Sequence, residues 1–199
     1  MNRKIAMTAA AVNLTAVLGF AASMLAGFGA GSYFSSMFIA FGYVGMACAF
    51  AYFAERPVKL AGYLSLALSA VYAAVILLVY FTQLTTVRLE ALTDQAASLL
   101  DFQKMGLFFN LDLLGYALMA LSTFFAGLTI RKKSRADRAL RALLLIHGVF
   151  FFSCLIMPVL GVFRADSPAW VGTALLEFWC AYFCPIGILS LLHFSKCRA

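Results

Sequence analysis

The chain has 199 residues, 64% of them hydrophobic and 12% charged, with a formal net charge of +7 and a mean hydropathy of +0.96. A water-soluble domain carries roughly 25% charged residues, and half that proportion cannot coat a soluble surface of this size. A soluble enzyme, a disordered chain and a nucleic-acid-binding protein are therefore excluded, which leaves an all-α integral membrane protein.

In chain order, the sequence predicts one membrane domain of six apolar spans over residues 1–199. The first covers residues 5–27. Its basic-then-apolar start, Arg3-Lys4 followed by an alanine-rich run, has the look of a signal peptide, but the run exceeds the roughly 7–15 apolar residues of one and more spans follow. It is read as a retained helix. A glycine-rich turn, Gly27-Phe28-Gly29-Ala30-Gly31-Ser32, leads to the second span, 33–54, which stops at Glu55-Arg56-Pro57. The third covers 58–82. Residues 83–104 are polar and hold five charges, while Leu84, Val87, Ala91, Leu92, Leu99 and Phe102 recur at roughly helical spacing. This pattern predicts a short amphipathic helix on the outer surface, capped by Thr85 or Thr86. It either extends a neighbouring span or forms a lid over an outward-facing cavity. The fourth span, 105–130, ends at Arg131-Lys132-Lys133-Ser134-Arg135, and the fifth and sixth cover 139–163 and 168–194. Each is long enough to cross the hydrocarbon, and a backbone in lipid must satisfy its own polar groups as helix.

With the N-terminus inside, 12 of the 15 basic residues fall in cytoplasmic segments. Only Arg88, Lys104 and Arg164 fall outside. The bias places both termini in the cytoplasm, and the localisation expected is a cell inner membrane, multi-pass.

Asp112 and Glu177 are the charged residues well inside the spans. At 1.5 Å per residue they lie about 10 Å and about 14 Å below the outer ends of spans 4 and 6. A carboxylate at the membrane centre costs about 2.5–3.5 kcal/mol, so each needs a partner or a wet cavity. Asp112 shares a helical face with Tyr116, Met119 and Thr123; Glu177 shares one with Trp170, Thr173, Cys180 and Cys184. The two stripes are expected to line one outward-facing cavity for a small cationic or polar molecule, or to carry protons. Tyr116, Trp170 and Trp179 would supply aromatic walls and cation–π contacts. The competing expectation has Asp112 reaching out to Lys104 or Arg88, with Glu177 protonated against a neighbour.

His147 is expected to be hydrogen-bonded inside the bundle. With Cys154, Cys180 and Cys184 it is a chemically plausible soft metal set, but the spacings match no closed zinc pattern, and no cofactor or metal is expected. The five cysteines include no CxxC and form no disulfide framework. Pairs such as Ala6/Ala10, Ala22/Ala26, Gly45/Ala49 and Ser122/Ala126 have small-xxx-small spacing, which lets helices approach closely. Pro158 and Pro185 are expected to kink their helices. No HExxH, GxSxG or phosphate-binding loop occurs, and no lysine lies mid-span for a Schiff base. An intramembrane enzyme would therefore lack an evident nucleophile–base pair. Asn13-Leu14 with Leu18-Gly19-Phe20-Ala21 also echoes Asn110-Leu111 with Leu114-Gly115-Tyr116-Ala117, as inverted repeats would.

The stretch FFNLDLLGYALMALSTFFAGL, followed by a basic loop and a span containing His147-Gly148, resembles small multi-spanning bacterial membrane proteins of unassigned function. The resemblance covers spans 4 and 5 and implies a bacterial inner membrane. Size, six spans and the alanine pairs of the first helix also look like the substrate-binding S-components of energy-coupling-factor transporters, which dock a larger module through Ala-xxx-Ala. The functional expectation is binding or transport of a small molecule at Asp112 and Glu177. The alternative is a non-catalytic accessory subunit. The bilayer, a small-molecule ligand, and a second copy or a partner membrane subunit are the partners expected, with no nucleic acid.

Overall fold

The computed structural model describes residues 1–162 and 169–197. Arg164, Arg198, and the junction residues Phe163 and Pro168 of the predicted spans lie outside the described residues. Among the described residues every regular element is helical: α1 (Asn2–Leu25), α2 (Gly29–Phe53), α3 (Lys59–Thr82), α4 (Asp94–Leu100), α5 (Leu107–Thr129), α6 (Arg135–His147), α7 (Phe150–Val159) and α8 (Ala169–Lys196). Six helical stretches are long and apolar enough to cross a membrane, with α6 and α7 counted as one.

The spans close into a ring. α8 packs on α1, α1 on α2, α2 on α3, α3 on α5, α5 on α6 and α7, and α6 returns to α8. α2 also meets α5 across the centre, where the Tyr43 hydroxyl donates to Ser122 Oγ at 2.8 Å and Ser122 Oγ donates to the Ser65 carbonyl at 2.7 Å. The closest helix approach is between α1 and α2. A Cβ on Gly42 would stand 2.6 Å from the Asn13 backbone nitrogen, and one on Gly45 would stand 2.6 Å from Ala9 Cβ. Ala6 and Ala10 are buried inside this bundle, so the Ala-xxx-Ala pair nearest the N-terminus is used internally and is not free to dock a partner. Ala22 and Ala26 are both exposed at the far end of α1.

One end of the bundle gathers the basic loops. The Arg131 guanidinium pairs with Glu55, which joins the α2–α3 and α5–α6 connections. Lys59 Nζ donates to the Ala51 and Tyr52 carbonyls at 2.8 and 2.9 Å, and Arg141 Nη1 donates to the Ile130 carbonyl at 2.9 Å. Each cation thus sits on the carbonyl end of α2 or α5, where the helix dipole favours positive charge. His193 Nδ1 meets Asp137 Oδ1 at 2.8 Å and ties α8 to the same end.

Several boundaries differ from the sequence expectation. Within the glycine-rich turn only Gly27, at φ +66°, takes the left-handed conformation; Gly29 and Gly31 already belong to α2. The fifth span starts at Arg135 instead of 139, because Ser134 and Asp137 form a reciprocal capping box. That span then breaks at Gly148–Val149, ten residues before Pro158. The amides of Gly148 and Val149 bond three residues back instead of four. A Cβ on Gly148 would stand 2.8 Å from Phe124 Cβ, so glycine is what lets α5 pack closely against the break. Pro158 lies in the last turn of α7, which closes on Gly161 at φ +64°. Pro185 is accommodated within the continuous α8.

The 83–104 segment is divided between an extension of the third span and a separate short helix. Its first five residues, Gln83–Val87, extend the third span as a π-turn, and α4 is a separate two-turn helix. The cap is Thr93, whose hydroxyl accepts from the Ala96 amide at 3.3 Å. Thr85 turns back to the Phe81 carbonyl.

Candidate functional site

Along α3, the polar residues Ser65, Ser69, Tyr72, Tyr80 and Gln83 fall at spacings of three, four or eight, which keeps them on one helical face. All are buried. Lipid offers nothing to a hydroxyl, so a polar stripe must turn towards other helices. It turns towards α5, whose inward face carries Asp112, Met119 and Thr123, with Tyr116 beside them half-buried.

Asp112 lies inside this seam at 4% exposure. The Tyr80 hydroxyl interacts with its carboxyl, and the hydroxyls of Ser36 and Tyr116 gather around Tyr80. Tyr72 belongs to the same cluster, its ring 6.0 Å from that of Tyr116. Two atoms are left over: Asp112 Oδ1 and Tyr72 Oη are both buried without a hydrogen-bond partner. Among the described residues no ion pair forms on Asp112, and Lys104 and Arg88 are exposed. The expected reach of Asp112 to Lys104 or Arg88 is therefore not what neutralises it.

Towards the α4 end of the bundle, an aromatic layer lies beside the cluster. Tyr33 stacks on Tyr80 at 5.5 Å, and Phe102 lies 6.2 Å from each of them. Phe102 comes from the α4–α5 connection, which Gln83 holds at both ends of its amide: Gln83 Nε2 donates to the Leu100 carbonyl at 2.7 Å, and the Phe102 amide donates to Gln83 Oε1 at 3.0 Å. Gln103 Nε2 adds a bond to Tyr33 Oη at 3.2 Å.

Inward, Tyr116 leads to Trp179 at 5.6 Å. The Trp179 indole donates to His147 Nε2 at 3.0 Å, and His147 Nδ1 meets Thr123 Oγ1 at 2.8 Å. Thr123 spends its own proton on the Ala120 carbonyl at 2.7 Å, so the Nδ1–H of a neutral imidazole must be the donor to Thr123. Both ring nitrogens are occupied, and His147 has no lone pair to offer a metal. Cys154 lies on α7, lining an open apolar groove of about 290 Å³ with Asn110, Leu114, Leu155, Pro158 and Val159. Cys180 is buried and Cys184 half-buried on α8. Among the described residues, no group of three or more His, Cys, Asp or Glu side chains is placed to hold a metal ion.

The structure thus brings Asp112, Tyr116, Trp179 and Cys180 into one neighbourhood. It does not join Glu177 to Asp112. Glu177 is half-buried one turn from Cys180, interacts with it electrostatically, and is not among the groups that engage the Asp112 carboxyl. Thr173 is half-buried above it, and Trp170 is 71% exposed at the start of α8, an interfacial position instead of a cavity wall. The residues that sequence reasoning missed are Ser36, Tyr72, Tyr80 and Gln83; Thr123 was placed on the Asp112 face, but its contact with His147 was not foreseen. The α3 polar stripe was the available signal for three of them. The repeat echo does not extend to environment: Asn13 is buried and donates to the Ile39 carbonyl at 3.0 Å, whereas Asn110 is exposed on the groove. No family model, curated protein or solved structure matches the chain, so the reading of this site rests on its own residues.

Proposed function

We propose that this is a polytopic inner-membrane protein that binds or transports a small cationic or polar molecule, with Asp112 as the charged determinant. The observation that carries the reading is the unpartnered Asp112 Oδ1 at the centre of a buried tyrosine cluster. An acidic group at that depth is retained against a cost of about 2.5–3.5 kcal/mol, and such groups mark ligand or ion pathways more often than packing. The aromatic layer of Tyr33, Tyr80 and Phe102 suits a closed state, with the α4–α5 connection as the lid. Glu177, half-buried on α8 with its Oε1 likewise buried without a hydrogen-bond partner, serves as a second acid on the path and not as part of the same cage.

The test is a binding screen on the detergent-solubilised protein, using its tryptophan fluorescence and a panel of sodium, potassium, ammonium, guanidinium and choline chlorides. A saturable response to at least one cation, lost in Asp112→Asn with the elution profile and melting behaviour retained, supports the reading. A panel that gives no response, or one equal in Asp112→Asn, overturns it.

A second reading is favoured by one observation. α7 has no buried residue, and the described side chains from Trp170 to Phe178 on α8 include none either. An apolar flank that the described residues leave uncovered fits an accessory subunit seated against a partner membrane protein, and co-purification of one stoichiometric partner in mild detergent is its test.

A further inference from the structure

Resting on the Asp112 reading, we infer that the occupant of the site is a compact monovalent inorganic cation, stripped of most of its water and held between Asp112 Oδ1 and Tyr72 Oη.

Three features select that class. The first is the donor set. Every polar atom in the cluster is oxygen: one carboxylate, the phenol hydroxyls of Tyr72, Tyr80 and Tyr116, and the Ser36 hydroxyl. Oxygen sets suit hard cations, whereas soft metals look for thiolate and imidazole. The second is charge. Asp112 is the one acid in the cluster, and His147, the nearest imidazole along the aromatic chain, has both nitrogens occupied. One carboxylate balances one positive charge; a divalent ion would leave a net charge buried in a low-dielectric seam, which is strongly disfavoured. The third is room. Tyr72 and Ser36 are fully buried and Tyr80 is 3% exposed. One turn from Asp112, a Cβ on Gly115 would stand 2.8 Å from Ile76 Cδ1, so α3 and α5 touch beside the site. A quaternary ammonium or an aromatic amine has no space there. The open groove between α5 and α7 is lined by neither Asp112 nor a tyrosine.

The titratable groups that interact electrostatically with the carboxyl are Tyr33 on α2, Tyr72 and Tyr80 on α3, Tyr116 on α5 and, from the groove between α5 and α7, Cys154. None is cationic. The positive charge that balances an ionised Asp112 must therefore arrive from solution.

The experiment titrates the full-length protein in detergent at constant ionic strength with lithium, sodium, potassium, rubidium, ammonium and magnesium chlorides, using choline chloride as the balancing salt. Binding is read by isothermal titration calorimetry and by the fluorescence of Trp179 in a Trp170→Phe background. The inference predicts saturable binding of at least one monovalent inorganic cation, with selectivity by ionic radius and no response to magnesium. It predicts loss of binding in Asp112→Asn and an affinity at least about tenfold weaker in Tyr72→Phe, which keeps the ring and removes only the ligand oxygen. Should Asp112→Asn fail to fold, Tyr72→Phe alone decides. Unchanged affinity in Tyr72→Phe, or magnesium binding as strong as the best monovalent ion, overturns the inference. A protein that responds to choline or guanidinium in an Asp112-dependent way, but to no alkali or ammonium ion, overturns it while leaving the broader binding function standing. Silence towards every salt overturns both, and Asp112 is then a protonated structural carboxyl.

Discussion

Replacing Trp179 by Phe tests the buried relay in a way that separates hydrogen bonding from packing. The indole ring lies against Phe183 at 4.9 Å and 17° and against Tyr116 at 5.6 Å, and a phenyl ring can occupy much of that space. What Phe cannot do is donate to His147 Nε2, which receives the indole proton at 3.0 Å in a residue only 1% exposed. A buried acceptor left without its donor costs about 1–3 kcal/mol, and the smaller ring adds about 1 kcal/mol of lost burial. Thr123→Val attacks the other side of the same imidazole at nearly constant volume, removing the acceptor for the His147 Nδ1–H, with a similar expected cost of about 1–3 kcal/mol. Because both substitutions act through one ring, the double variant should lose less than the sum, by about 0.5 kcal/mol or more. Reversible unfolding in mixed micelles gives the energies, and nitrogen chemical shifts of labelled histidine give the tautomer. The reasoning fails if both single variants stay within about 0.5 kcal/mol of the parent, the spread of neutral surface changes, or if the spectrum shows His147 protonated on Nε2 instead of Nδ1.

Two further outcomes follow from close contacts elsewhere. Gly42→Ala places a methyl 2.6 Å from the Asn13 backbone nitrogen; backbone cannot rotate away as a side chain can, so α1 and α2 must separate and stability should fall by about 1–3 kcal/mol. Gly172→Ala, with nothing within 4 Å, is the control and should melt as the parent does. Gln83→Leu removes both bonds that hold the α4–α5 connection; at about 1 kcal/mol each, amide exchange over residues 94–106 should quicken by roughly tenfold or more while α1 and α2 exchange as before. Equal exchange in that segment would show that the aromatic layer alone keeps it closed.

The six spans were legible because hydropathy over a long window depends on composition, and composition does not change when a helix rotates. The same insensitivity hid the site. Nothing in the hydropathy of the third span distinguishes Tyr72 and Tyr80 from Tyr63, yet Tyr63 is 57% exposed and the other two are buried. The distinction lies in phase: Ser65, Ser69, Tyr72 and Tyr80 share a face, and a membrane helix inverts the usual rule that polar faces point outward. The start of α6 was obscured for a different reason. Arg135 and Arg138 read as a loop because they are charged, whereas Ser134 and Asp137 carry a capping signal at the spacing a helix start requires. The break at Gly148–Val149 was illegible because the residue packed against that glycine, Phe124, lies on another helix, and the prolines that attract attention in the sequence lie where the chain tolerates them.

Asp112 and Glu177 have similar depth and the same chemistry, and their different surroundings follow from where their helices stand. α5 is flanked by α3, α6 and α7 and meets α2 across the ring, so a side chain on its inward face is surrounded whatever its polarity. α8 is held by α1 and α6, and its buried residues begin only at Trp179; Glu177 stands above that point. Depth below the membrane surface is a property of sequence position, but desolvation is set by neighbours. A lone carboxyl on the most enclosed helix is the costlier one to keep. Its one direct hydroxyl partner, Tyr80 of α3, is itself engaged by Ser36 of α2 and Tyr116 of α5. Three helices thus supply the polar surroundings of one carboxyl, and Asp112 Oδ1 and Tyr72 Oη are still buried without a partner, an incomplete satisfaction that a site for a small cation would explain.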